Sequence, residues 1–104
     1  MYPPDAQYDE SAVAESREKV EEPPLFKVLL HNDDYTTMEF VVWVLESIFN
    51  MPEEQAIQVM LNVHLRGSGV AGVYTYEIAE TKVEKTTTLA REHEYPLLVT
   101  MEKE

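Results

Sequence analysis

Cysteine is absent from the 104-residue chain. That excludes a disulfide framework and any cysteine-ligated metal centre, and it accords with a reducing compartment. Long apolar runs are absent too: none approaches the roughly 18 residues that cross a bilayer. The first ten residues, MYPPDAQYDE, lack a basic start and an apolar stretch, so no signal peptide is expected. Together these absences point to the cytoplasm. With only three glycines there is no phosphate-cradling loop, and no serine sits in a nucleophile elbow. Basic residues are scarce: 8 against 20 acidic ones, for a net charge of −12. Phosphate backbones and anionic membranes are repelled by such a chain, so neither nucleic acid nor membrane is an expected partner. A cationic ligand is favoured on approach, although acidity also serves plain solubility.

A chain of this length suits one domain with a thin core. Residues 1–22 stand apart, with seven acidic residues, two basic ones and only two β-branched apolar residues. Such a segment buries too little to offset its ordering entropy, so a disordered acidic extension is expected there. Pro23 and Pro24 close it, and the folded domain is expected over 23–104.

LFKVLL (25–30) reads as a strand. Thr36 and Glu39 have the spacing of a capping box at a helix start. Phe40, Val41, Val44, Leu45, Ile48 and Phe49 then recur at helical spacing. Asn50 and Pro52 end this helix and begin another, with Pro52 suited to a first helical position and Glu53 and Glu54 to the first turn. That second helix carries Ala56 to Val63 and ends at RGSG (66–69). VAGVYTYEI (70–78) reads as a strand, 79–94 as a helix weakened by Thr86, Thr87 and Thr88, and LLVTM (97–101) as the last strand. The order βααβαβ predicts an α+β fold: a small α/β sandwich whose three-stranded antiparallel sheet is covered on one face by three helices.

Asn32, Asp33 and Asp34 follow the first strand and precede the first helix. By spacing alone such a run is first of all turn and capping chemistry. It also offers acceptors to a cation: an amide oxygen, carboxylates and, from His64, a neutral imidazole nitrogen would suit the three donors of an ammonium. His64 lies four residues after Met60, on one helical face with it. Met38 and Met60 read as gap-filling core residues or as an adaptable surface. An acid–base or metal-assisted hydrolase built on Asp33, Asp34 and His64, with His31 nearby, is conceivable but has no ligand spacing to recommend it.

The segments LFKVLLHNDDYTTMEFVVWVLESIF, AIQVMLNVHLRGSGVAGVYTYEIAETKV and EYPLLVTMEK resemble the Clp protease adaptor family, ClpS, over about residues 23–103. The resemblance implies a non-catalytic, cofactor-free and monomeric adaptor for N-degrons. It would bind proteins whose first residue is Leu, Phe, Tyr or Trp and deliver them to an AAA+ unfoldase, ClpA or ClpC, acting with ClpP. It implies that Asn32, Asp33 and His64 grip the free α-amino group and that Asp34 and Thr36 shape the loop or meet the peptide backbone. Met38, Val41, Val44, Met60, Val63 and Leu97 would line the side-chain pocket, with Met38 excluding β-branched first residues. Glu77, Thr81 and Lys82 would face the unfoldase's N-domain, and the acidic extension would be engaged during delivery. The chain departs from the family pattern at Thr37, where many members have Pro, at His31 and at Trp43. A structural interaction domain, like the similarly folded C-terminal domain of the ribosomal stalk protein, is the other reading.

Overall fold

A computed structural model describes residues 22–104; the expected acidic extension lies outside the described residues except for Glu22. The elements are β1 (Leu25–His31), α1 (Met38–Ser47), α2 (Glu53–Arg66), β2 (Ser68–Thr75), α3 (Tyr76–Glu92) and β3 (Leu98–Lys103). β1 is the middle strand of an antiparallel sheet ordered β2-β1-β3. Along β1 the side chains alternate, and Val28 and Leu30 are fully buried. They join Ala71 and Val99 of the neighbouring strands in a core completed by Phe40, Val44, Leu45, Ala56, Val63, Ala79 and Ala90 from the three helices. The expected α+β architecture is therefore the observed one.

Three local expectations are corrected. Thr37, not Thr36, caps α1: its hydroxyl oxygen accepts from the Phe40 amide at 3.1 Å. Thr36 is taken by Asp33 instead, so no Thr36–Glu39 box forms. Pro52 sits one position before α2, in extended conformation, rather than inside it. Finally, β2 spans 68–75, not 70–78, and Tyr76, Glu77 and Ile78 open α3. The reason is a lack of partner: Thr75 pairs with Leu25, the first residue of β1. Before it stand Pro23 and Pro24, which have no amide to offer.

The threonines of α3 are accommodated. Thr86 is wholly buried, and its hydroxyl donates to the Lys82 carbonyl one turn earlier at 2.8 Å. Two glycines fix the end of α2. Gly67 closes the helix with φ +95°, a left-handed conformation that a side chain disfavours. At Gly69 a Cβ would stand 2.9 Å from Val63 Cγ2 and 3.1 Å from the Val59 carbonyl oxygen, so β2 passes tight against α2. The Gly67 carbonyl then accepts the Asn32 amide at 2.9 Å. That bond ties the loop after β1 to the end of α2.

Candidate binding site

The loop between β1 and α1 is organised by one carboxylate. Asp33 Oδ1 accepts the Tyr35 amide at 2.8 Å and the Thr36 amide at 2.7 Å, while Oδ2 accepts the Thr36 hydroxyl at 2.7 Å. Partial burial alone would push the Asp33 carboxyl up. The hydrogen bonds from the Thr36 hydroxyl and amide and the Tyr35 amide, with the positive charge of Arg91, outweigh it and hold the group below the usual aspartate value. Asp33 therefore keeps its charge throughout the neutral range. A carboxylate has about four acceptor positions, so one remains after these three bonds.

Behind the loop, Arg91 Nη1 donates to the Tyr95 carbonyl at 2.8 Å and the Leu97 carbonyl at 3.2 Å. The Thr37 hydroxyl, while capping α1, reaches the Tyr95 hydroxyl at 3.4 Å. The Tyr95 ring lies 4.7 Å, centroid to centroid, from Phe40 in the core. The segment from Asn32 to Thr37 is thus pinned to α2 on one side and to the end of α3 on the other.

A cavity of about 500 Å³ opens between this loop, α1 and α2. Its rim is polar, with Asn32, Asp33, Asp34, Thr36 and His64; its apolar wall is Met38, Val41, Met60 and Val63. His64 stands one helical turn beyond Met60 and lines the same cavity as the anchored Asn32. Nine of the eleven expected amine-grip, loop and pocket residues therefore meet in one cavity. Val44 and Leu97 do not line it: at 0% and 1% exposure they belong to the core. Tyr35, Thr37 and Glu39 also line the cavity; the sequence marks Thr37 as a departure from the family pattern and Glu39 as a capping-box partner, and assigns none of the three to the site. For Thr37 the signal was available, three residues before the buried Phe40. Among the described residues no three His, Asp or Glu side chains are grouped as metal ligands.

A second cavity, about 560 Å³, lies between the end of α1 and α3. Its charges are mixed, Lys82 and Lys85 against Glu84 and Glu92, so it presents no cluster of acceptors to a cation. Glu77 and Thr81 lie on the exposed side of α3, where the Thr81 hydroxyl donates to the Glu77 carbonyl at 3.1 Å. Lys82 differs from them. Its Nζ donates to the Ile48 carbonyl at 2.7 Å and lies 5.8 and 5.7 Å from the Phe49 and Tyr74 ring centres. Its charge is committed to holding the C-terminal end of α1.

The fold and cavity define a small α+β binding module, with a polar rim rich in acceptors set against an apolar wall. Residues 21–100 match the family model described as ATP-dependent Clp protease adaptor protein ClpS, and the chain belongs to that family. It is 52% identical over 100 residues to the ClpS adapter of Myxococcus xanthus, covering 94% of each chain. It is 59% identical over 90 residues to that of Hyphomonas neptunium, covering 86% of this chain and 76% of the relative. A solved structure of Agrobacterium tumefaciens ClpS2 bound to L-phenylalaninamide is 46% identical, with a TM-score of 0.77, over 80% of this chain and all of the other.

Proposed function

We propose that this chain is an N-degron adaptor: it captures the free α-amino group and the bulky hydrophobic side chain of a protein's first residue and hands that protein to the Clp protease. The observation that carries the reading is the single cavity in which an acceptor-rich rim adjoins an apolar wall. Support comes from the relative bound to L-phenylalaninamide, a ligand that joins an α-amine to a benzyl side chain. In this reading Asn32, His64 and the unspent acceptor of Asp33 receive the ammonium, and Asp34 adds charge at the mouth. Thr36 acts through Asp33, whose carboxylate it holds in place. Met38, Val41, Met60 and Val63 contact the side chain, and Val44 and Leu97 support them from the core.

Magnitudes explain why both halves are needed. A hydrogen bond to a charged group contributes roughly 1.5–3 kcal/mol, and burying a Leu or Phe side chain roughly 1.5–3 kcal/mol. Either alone is consumed by the cost of association. An internal Leu lacks the ammonium and leaves the rim acceptors without their donors. The adaptor does no chemistry of its own. It acts as a monomer on an AAA+ unfoldase, ClpA or ClpC, whose N-domain meets the exposed Glu77 and Thr81 on α3; Lys82 serves that surface by fastening α1 to it.

The test is a titration with a short peptide beginning in Phe, with its amine free or acetylated. The free peptide is expected to bind and the acetylated one to lose at least 100-fold in affinity, the loss expected of two charge-assisted hydrogen bonds. Equal affinity for the two would overturn the reading.

A further inference from the structure

Beside the site cavity runs a groove of about 350 Å³ between the facing sides of α1 and α2, lined by Met38, Val42, Trp43, Ile57 and Met60. Glu39 and Glu46 edge it. Three residues, Met38, Glu39 and Met60, belong to both the groove and the site cavity, so the two are continuous across one methionine wall. Trp43 and Ile57 remain 44% and 39% exposed, although both are large and apolar. The Trp43 ring is ordered from behind, 5.7 Å from Phe40 and 5.5 Å from His93 between ring centres.

Resting on the adaptor reading above, we infer that this groove is a second subsite, which takes an apolar side chain at the third residue of the bound protein. Two arguments of length and direction single out that residue. Val42 of the groove follows Met38 by four positions, on the same helical face and about 6 Å along α1, and Trp43 is next to it in the chain. Two steps of extended chain span about 7 Å. In an extended chain the first and third side chains point the same way and the second points away. A chain end seated with its first side chain against Met38, and running along α1, therefore brings its third side chain into the groove at Val42, between Trp43 and Ile57. The charge at the edge adds a second selection. Glu39 and Glu46 disfavour an acidic third residue and favour basic neighbours. The occupant is thus the continuation of the same substrate, apolar at position three and free of acid nearby.

The chain's single tryptophan makes the test direct. Peptides lacking Trp and Tyr, of the form Phe-Gly-X-Ser-Lys with X as Leu, Gly or Glu, are titrated while Trp43 emission is recorded. The Leu peptide is expected to bind about five- to tenfold tighter than the Gly peptide, as a partly buried aliphatic group allows, and the Glu peptide weaker than either. Only the Leu peptide should shift the Trp43 emission. Ile57→Ser, on the opposite wall and exposed, should erase the Leu advantage while leaving Phe-Gly-Gly binding unchanged; Glu46→Lys should relieve the penalty on Glu. Equal affinities for the three peptides, or a Leu advantage that survives Ile57→Ser, would overturn the subsite. The adaptor reading fails separately, through equal binding of N-acetylated Phe-Gly-Leu.

Discussion

The Asp33 carboxylate accepts three hydrogen bonds from its own loop, and in the proposed complex it gives its remaining acceptor to the ligand's ammonium. Turn chemistry and binding chemistry, which the residue order offers as alternatives, are thus served by one side chain. The pH consequence has a definite sign. The folded group sits below its ordinary value, so it contributes stability that is fully present above about pH 3.9, the unfolded aspartate value. That contribution is lost as the pH falls through the lower folded value, because only the unfolded chain takes up the proton first. Asp33→Asn should therefore lower stability near neutrality, and the gap to the parent should narrow in urea melts as the pH falls below about 4. A constant gap would mean that the loop is held by shape and not by charge. Met38 makes the complementary prediction on the apolar side. It is 46% exposed at the cavity wall, where a branch at the Cβ of a first residue would press on it. Met38→Ala should admit Ile- and Val-initiated peptides that the parent rejects, as read by fluorescence anisotropy; continued rejection would remove Met38 from the gate. Val44 and Leu97 mark how far residue order carries such assignments. The family resemblance groups them with the pocket, but whether an apolar residue faces a cavity or a sealed core depends on what packs above it, and no linear pattern records that.

Element boundaries follow from competition between neighbours. Thr36 and Glu39 have the spacing of a capping box, yet Asp33 is closer to the Thr36 amide and hydroxyl and takes both. The cap then passes to Thr37, which fixes the first residue of α1, Met38, at the cavity wall. Likewise YEI (76–78) has strand-forming residues but no strand partner, since β1 begins at Leu25 after two prolines. The existence and order of all six elements were legible from hydrophobic period and turn residues; these two ends were not, because each was decided by a contact formed only on folding. Thr37→Ala should cost about 1 kcal/mol of stability, the usual loss of a side-chain cap, and Thr37→Ser should restore it, both read from urea unfolding midpoints. A silent Thr37→Ala would return the capping role to another residue.

For the molecule as a whole, the decisive arrangement is that two surfaces sit on different elements. The proposed receptor for the chain end is built from the β1–α1 loop, α1 and α2, whereas Glu77 and Thr81 lie on the exposed side of α3. The surrounding charge of −12 speeds the approach of a cationic chain end, since long-range fields raise the rate of encounter more than the final affinity. Delivery and recognition should then be separable. Glu77→Arg changes a side chain exposed to solvent and absent from the cavity lining, so the affinity for a Phe-initiated peptide should stay within about twofold, as surface substitutions usually allow. The same substitution reverses the charge where the unfoldase's N-domain is proposed to dock, which removes any partner that Glu77 has there. Degradation of a Phe-initiated reporter by the reconstituted unfoldase and protease should accordingly fall by about tenfold or more. Loss of peptide affinity along with degradation would show the surfaces to be coupled through α3, and intact degradation would move the docking surface elsewhere on the fold.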